Sequence, residues 1–235
     1  MGNLILVRHG QASYLSDNYD QLSDKGREQA ALLGKYFKTH NYHFTKYYTG
    51  PLERQKDTLS LLLQAYKSTN EVPAKMNIIQ ELREHKAPQL LREIYDNLLI
   101  SNQQINTLDT EIKSDPSLKR KNSILIFNEF IKLWVSGKTS VLPGYDTWKN
   151  YKAEVKTIIP KIFTSKENTL VVTSGGTKTA IISDILDLEN NHVTADINIH
   201  MKNTSITKFK ISEDNISMIS MNELPHLKPN LHTYV

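Results

Sequence analysis

The stretch that most restricts the fold is Leu4-Ile5-Leu6-Val7-Arg8-His9-Gly10. Four consecutive apolar residues cannot alternate between a buried and a solvated face. They read as a strand covered on both sides, the kind that lies inside a mostly parallel sheet. The pattern returns at Thr169-Leu170-Val171-Val172-Thr173, followed by Ser174-Gly175-Gly176. In an open α/β sheet, ligands sit outside the carboxyl ends of such strands, so Arg8 and His9 emerge where a substrate can reach them.

Those two side chains suit one kind of chemistry. A neutral imidazole is a competent nucleophile, and an adjacent guanidinium holds an anionic target without losing its own charge. The pair points to capture of a phosphoryl group on nitrogen.

The intervening sequence supplies helices on both faces of such a sheet. Residues 11–21 are polar and read as a loop over the strand ends. Ser23 or Asp24 caps a helix over 26–37, with Ala30, Leu33 and Phe37 on one face. Residues 44–48 form a second strand. Pro51 opens a helix that carries Arg54 in its first turn, with its N-terminal amides at the same sheet edge. Residues 77–80 form a short strand. From 86 to 149 the periodicity is helical, as in 90–105 and 123–135, and reads as an inserted helical cap punctuated by Asp115-Pro116-Ser117 and Pro143-Gly144. A helix over 146–165 is interrupted at Pro160, and another covers 177–186. Alternating segments 205–211 and 216–221 form an antiparallel edge pair. The expected fold is a single α/β domain over 1–235, a three-layer α/β/α sandwich with a mostly parallel sheet and the cap.

Composition excludes several alternatives. Hydrophobic residues are 39% and charged residues 23% of the 235, ordinary for a globular protein. There is no Cys, which rules out disulfide staples and thiolate zinc sites and suits a reducing cytoplasm. The N-terminal apolar run is too short for a secretory signal, and no stretch approaches the roughly 20 apolar residues of a membrane helix. The net charge of +4 is modest, and Lys119-Arg120-Lys121 is the one dense basic patch; it reads as a solvated turn, and nucleic acid is not an expected partner. The histidines show no metal-ligand spacing.

Four motifs in order resemble the histidine phosphatase superfamily, also called phosphoglycerate mutase-like. They are Arg8-His9-Gly10; Leu22-Ser23-Asp24-Lys25-Gly26-Arg27-Glu28-Gln29-Ala30; Thr49-Gly50-Pro51-Leu52-Glu53-Arg54, similar to the family's Ser-Pro-Leu-x-Arg; and Leu82-Arg83-Glu84. The resemblance implies that His9 attacks phosphorus and forms a phosphohistidine that water or another acceptor then discharges. Arg8 and Arg54 bind the phosphoryl oxygens, and Glu84, with Glu81 as its local competitor, protonates the leaving oxygen. It implies no cofactor and no metal. The partner it implies is a small anionic phosphorylated substrate; the oligomeric state stays open.

The chain departs from the family at two places. Where complete members carry a second histidine in a Ser-His-Gly context, this chain reads Ser174-Gly175-Gly176, a Ser-Gly-Gly variant. The amides of Gly175 and Gly176 at a helix start, with the Ser174 or Thr177 hydroxyl, replace part of the lost donor. In the loop after Gly10, Leu15 falls where relatives place an Asn that touches phosphate, with Ser16 and Asn18 nearby; Gln11 and Ser13, with Ser23, are candidate substrate contacts in its stead. His85 stands beside Glu84 and can line the site, whereas His226 is expected in a structural hydrogen bond. Three activities follow from the resemblance: a phosphatase weakened by Gly175, a phosphate-binding protein without turnover, and a mutase.

Overall fold

The computed structural model describes residues 1–13, 20–68, 76–213 and 215–234. Leu15, Ser16 and Asn18 lie outside the described residues. The described strands form one six-stranded sheet in the order β3-β2-β4-β1-β5-β6. They are β1 (Gly2–Arg8), β2 (Lys46–Thr49), β3 (Asn77–Ile78), β4 (Asn168–Thr173), β5 (Ile206–Ile211) and β6 (Ile216–Glu223). Strands β1 to β4 run parallel, β5 runs antiparallel to β1, and β6 turns back along β5.

Double-sided burial accounts for the unbroken apolar runs. In β1 and β4, Leu4, Leu6 and Val171 join one core, while Ile5, Val7, Leu170 and Val172 join the other. The second core is closed by α1 (Asp24–Thr39) and α2 (Glu53–Lys67) through Leu33, Phe37, Leu59, Leu62 and Leu63. The first takes Ala180, Ile181 and Ile182, and it continues into Trp134, Tyr151 and Phe130. The result is a three-layer α/β/α fold.

Between β3 and β4 the chain runs through α3 (Ala87–Glu93), α4 (Tyr95–Ser101), α5 (Gln103–Ser114), α6 (Lys119–Val135), α7 (Trp148–Lys156) and α8 (Ile159–Ile162). The helical run expected over 90–105 is three helices, divided at Ile94 and at Asn102; Asn102 leaves helical geometry and caps α5 by accepting the Ile105 N–H. The helix expected over 146–165 stops at Lys156, four residues before Pro160. A proline crowds the carbonyl four residues back and lacks the N–H to bond it. Pro51 precedes α2 instead of opening it, since the first helical residue is Glu53.

Helix α9 (Gly175–Ile185) begins two residues earlier than its sequence pattern indicates. Helix α10 (Asn191–Ile199) had no recognisable stripe; Asn190 starts it by accepting the His192 and Val193 N–H groups. Among the described residues, no helix is long and apolar enough to cross a membrane.

Register fixes the working edge. Arg8 pairs with Thr173, and Thr49 with Val172, so the ends of β1, β2 and β4 arrive together. Close approach of α1 to that edge requires Gly10 and Gly26: a Cβ on Gly10 would lie 2.5 Å from the Gly26 carbonyl oxygen.

Candidate active site

His9 is held by its own backbone. Its N–H donates to the Thr173 carbonyl at 2.8 Å, and its carbonyl accepts from the Asn203 side-chain amide at 3.1 Å. The ring is 3% exposed. Nδ1 lies 2.7 Å from the Gly10 carbonyl oxygen, which can only accept, so Nδ1 carries the proton. Nε2 therefore presents a lone pair, and the Arg54 Nε–H donates to it at 3.1 Å. Burial first, then the charges of Arg54 and Arg8, hold the imidazole well below its usual pKa. The ring is neutral at pH 7, the state a nucleophile needs.

Arg54 sits in the first turn of α2, itself buried. Its Nη1 donates to Asp20 Oδ1 at 2.7 Å, and Asp20 Oδ2 accepts the Glu53 N–H at 2.9 Å. One carboxylate thus fixes the guanidinium and caps the helix, a favourable place for negative charge. Thr58 joins the same helix to β1: its hydroxyl accepts the Gly10 N–H at 2.9 Å and donates to the Arg54 carbonyl at 2.6 Å. Arg8 Nη1 donates to the carbonyls of Met201 and Tyr234, the latter at 2.6 Å. Its charge reaches His9, and a Cβ built on Gly175 would lie 3.4 Å from Arg8 Nε.

Facing the His9 and Arg54 arm is Glu84, which follows a 3₁₀ turn over Gln80–Leu82. Its Oε2 faces the Gly176 N–H at 3.4 Å, at the start of α9. This brings Glu84 to the turn after β4. Gly176 has no room for a side chain, because a Cβ would stand 2.2 Å from His85 Cδ2 and 2.4 Å from Glu84 Oε1.

Ser174 and Thr177 differ from expectation. Both are fully buried, and their hydroxyls are engaged within the protein. Ser174 Oγ accepts from Gln55 Nε2 at 2.8 Å. Thr177 Oγ1 donates to the Arg83 carbonyl at 2.7 Å and meets the Tyr151 hydroxyl at 2.7 Å. They brace the turn instead of facing a ligand. Ser23 caps α1 by accepting the Gly26 N–H, and its hydroxyl also meets Gln11 Oε1 at 3.1 Å. Ser13 bonds through its backbone to Gln21.

Several supporting residues were not singled out in the sequence: Asp20, Gln55, Thr58, Asn203 and Thr204, the last donating its N–H to the Arg8 carbonyl at 3.0 Å. Gln55 is the one with a readable signal, lying three residues after Leu52, whose N–H its Oε1 accepts at 3.2 Å. Asn203 and Thr204 carry only a polar run before β5. A separate groove of about 840 Å³ lies at the opposite end of the strands, lined by Lys46, Lys166 and Glu167 among others. Among the described residues, no three His, Cys, Asp or Glu side chains gather as metal ligands.

Residues 4–91 match the Histidine phosphatase superfamily (branch 1). A 2,3-bisphosphoglycerate-dependent phosphoglycerate mutase of Hamiltonella defensa is 37% identical over 73 residues. That stretch is 28% of this chain and 29% of the mutase, so the chain spans under a third of the relative it matches. These matches support the superfamily; the family match over 4–91 includes His9, Arg54 and Glu84 and ends before the turn at Gly175.

Solved structures extend the likeness in fold to nearly the whole chain. Phosphoglycerate mutase from Bacillus anthracis superposes with a TM-score of 0.64 at 22% identity, covering 95% of this chain and 94% of that one. An Entamoeba histolytica phosphoserine phosphatase variant in complex with phosphoserine gives 0.62 at 19% identity, over 97% and 100%.

Proposed function

We propose that this chain is a phosphoryl-transfer enzyme of the histidine phosphatase type that hydrolyses a small phosphomonoester or a phosphorylated protein side chain. His9 carries the reading: a buried, neutral imidazole with Nδ1–H on a carbonyl and its Nε2 lone pair in contact with a fixed guanidinium.

The lone pair attacks phosphorus, the bond to the ester oxygen breaks, and Glu84 gives that oxygen a proton. Water then attacks phosphorus and gives a proton to the Glu84 carboxylate, the P–N bond breaks with its electron pair returning to His9 Nε2, and phosphate is released. Arg54 moves its N–H from Nε2 to a phosphoryl oxygen as the substrate arrives, and Arg8 binds beside it. Such transfers depend chiefly on positioning and charge stabilisation. The likeness in fold to a phosphatase and a mutase supports the reaction class.

A second reading has its own observation. Arg8 is engaged with the Met201 and Tyr234 carbonyls, and Gly175 offers no side-chain donor. A site so arranged can bind a phosphorylated ligand without turning it over. One experiment separates the readings: wild type and His9→Ala are mixed with p-nitrophenyl phosphate, and phosphate release is measured beside acid-labile phosphoenzyme. Hydrolysis requires a burst of labelled His9 and a rate absent from the variant. Phosphate-dependent thermal stabilisation, with equal background rates in both proteins, selects binding alone. With 3-phosphoglycerate, isomer formed without phosphate released selects a mutase.

A further inference from the structure

The proposed reaction leaves one buried titratable group beside the site without a part: His85. Its side chain is 4% exposed. The ring lies against Trp134 with centroids 4.6 Å apart, and against Tyr151 at 5.5 Å. Its Cδ2–Nε2 edge fills the space over Gly176, where a Cβ would approach Nε2 to 2.5 Å. The imidazole is wedged between the helices behind it and the turn in front.

Its tautomer follows from the backbone. Nδ1 accepts the Ala87 N–H at 3.2 Å, and an amide N–H can only donate, so Nδ1 holds a lone pair. The neutral ring then has its proton on Nε2. Burial, the largest influence, and the Arg54 charge favour the neutral ring over the opposing pull of Glu84. Nε2 stands 3.4 Å from Glu84 Oε1. Glu84 Oε1 also accepts the His85 backbone N–H at 3.1 Å. The carboxyl thus accepts the His85 and Gly176 backbone N–H groups, and the imidazole edge stands beside it in a looser contact, longer than an ordinary hydrogen bond.

We propose that His85 is the positioning residue for Glu84: its Nε2–H, braced by Trp134 and seated over Gly176, holds the carboxyl at the mouth of the Gly175–Gly176 turn. The proposal rests on Glu84 being the proton donor of the reaction above. It also explains why the second glycine of Ser-Gly-Gly is needed, since the imidazole occupies the room a side chain would take. A proton donor must stay within hydrogen-bond reach of the leaving oxygen, and a small misplacement costs about 10² in rate.

The test compares leaving groups. An alkyl oxygen needs a proton to depart; a nitrophenolate does not. His85→Phe keeps an aromatic ring against Trp134 and removes the donor, whereas His85→Gln restores an N–H. For β-glycerol phosphate, His85→Phe is expected to lose about 10² in kcat with KM little changed, while its loss on p-nitrophenyl phosphate is far smaller. His85→Gln is expected to recover most of the difference. Equal losses on both substrates, or a glutamine variant as slow as the phenylalanine one, overturn the proposal in favour of a packing role.

A spectrum decides independently of turnover. In ¹⁵N–¹H correlation spectra of the unmodified protein, His85 is expected to show a proton on Nε2 and a lone pair on Nδ1, and its Nε2–H resonance to move in Glu84→Gln. A proton on Nδ1, or no response to Glu84→Gln, overturns the contact even if no substrate is hydrolysed. Absence of His9-dependent turnover with the spectrum as expected removes the enzymatic reading and leaves the contact standing.

Discussion

The two arms of the site each contain a buried neutral imidazole, and they hold it in opposite tautomers. At the end of β1, His9 Nδ1 meets the Gly10 carbonyl, so the outward nitrogen carries a lone pair. Before α3, His85 Nδ1 meets the Ala87 N–H, so the outward nitrogen carries a proton. One backbone group at the rear of each ring decides what its front can do. The surroundings follow suit: the His9 arm has Arg54, fixed by Asp20, whereas the turn facing His85 presents glycines. The buried Lys178 behind that turn donates to Ser205 at 2.7 and 3.0 Å.

The largest effect that separates the arms is expected at Arg54. Lysine in its place keeps a charge but lacks the planar set of donors that reaches His9 Nε2 and Asp20 together. Two charge-assisted bonds of about 1.5–3 kcal/mol each correspond to a loss of about 10² to 10⁴ in kcat/KM. The loss should be the same for aryl and alkyl esters, because both need phosphoryl oxygens to be held. Leaving-group dependence in Arg54→Lys would erase the division of labour between the arms.

The two glycines sharpen the comparison at lower energy. A Cβ at Gly176 meets His85 and Glu84 at 2.2–2.5 Å, whereas a Cβ at Gly175 meets Arg8 at 3.4–3.7 Å, ordinary contact. Gly176→Ala is therefore expected to cost about 1–3 kcal/mol, the usual range for overpacking. Gly175→Ala is expected to stay within about 0.5 kcal/mol of wild type. Urea unfolding of both variants measures the difference. Equal stabilities would mean that His85 swings away freely, and its wedge would be no wedge.

The same division explains what could be read from the chain alone. The sheet centre was legible because β1 and β4 are apolar on both faces, and the His9 arm because its residues follow strands directly. Glu84 was singled out only through the resemblance of Leu82-Arg83-Glu84 to the family's motif; its spacing from Glu81 on a turn says nothing of a role. The opposite tautomers were not legible, since each depends on a backbone group placed by the fold. Ser174 and Thr177 were expected as ligand contacts because they flank the turn where the family places a second histidine, but a hydroxyl's partner is set by what packs over it, here Gln55, Arg83 and Tyr151. Asp20, Asn203 and Thr204 act across loops, where no periodicity marks them. The break before Pro160 was written in the chain, and the break at Asn102 was hidden inside an apolar rhythm that continues through it.

The most diffuse effect is spread over several residues and concerns stability against pH. His9 and His85 are held below the ordinary imidazole pKa by burial, and His226, whose Nε2 lies 3.0 Å from the Thr204 hydroxyl, is pushed down to about 3. In the unfolded chain all three take up protons near pH 6.5. Between that value and their folded pKa values, the unfolded state binds more protons, so stability rises with pH and falls as the solution is acidified. Each group contributes up to about 1.4 kcal/mol per pH unit in that window. Lys178, also depressed by burial, acts in the same direction from pH 10.5 down to its own folded pKa. Urea unfolding at pH 7, 6 and 5 should show the fall, and His226→Gln should reduce its slope by about one third. Turnover by the folded fraction should not share an inflection near pH 6.5, because His9 stays neutral there. An inflection in kcat/KM at that pH which disappears in a His9 variant would mean that the nucleophile titrates like a solvated imidazole, and the contrast between the two rings would lose its first member.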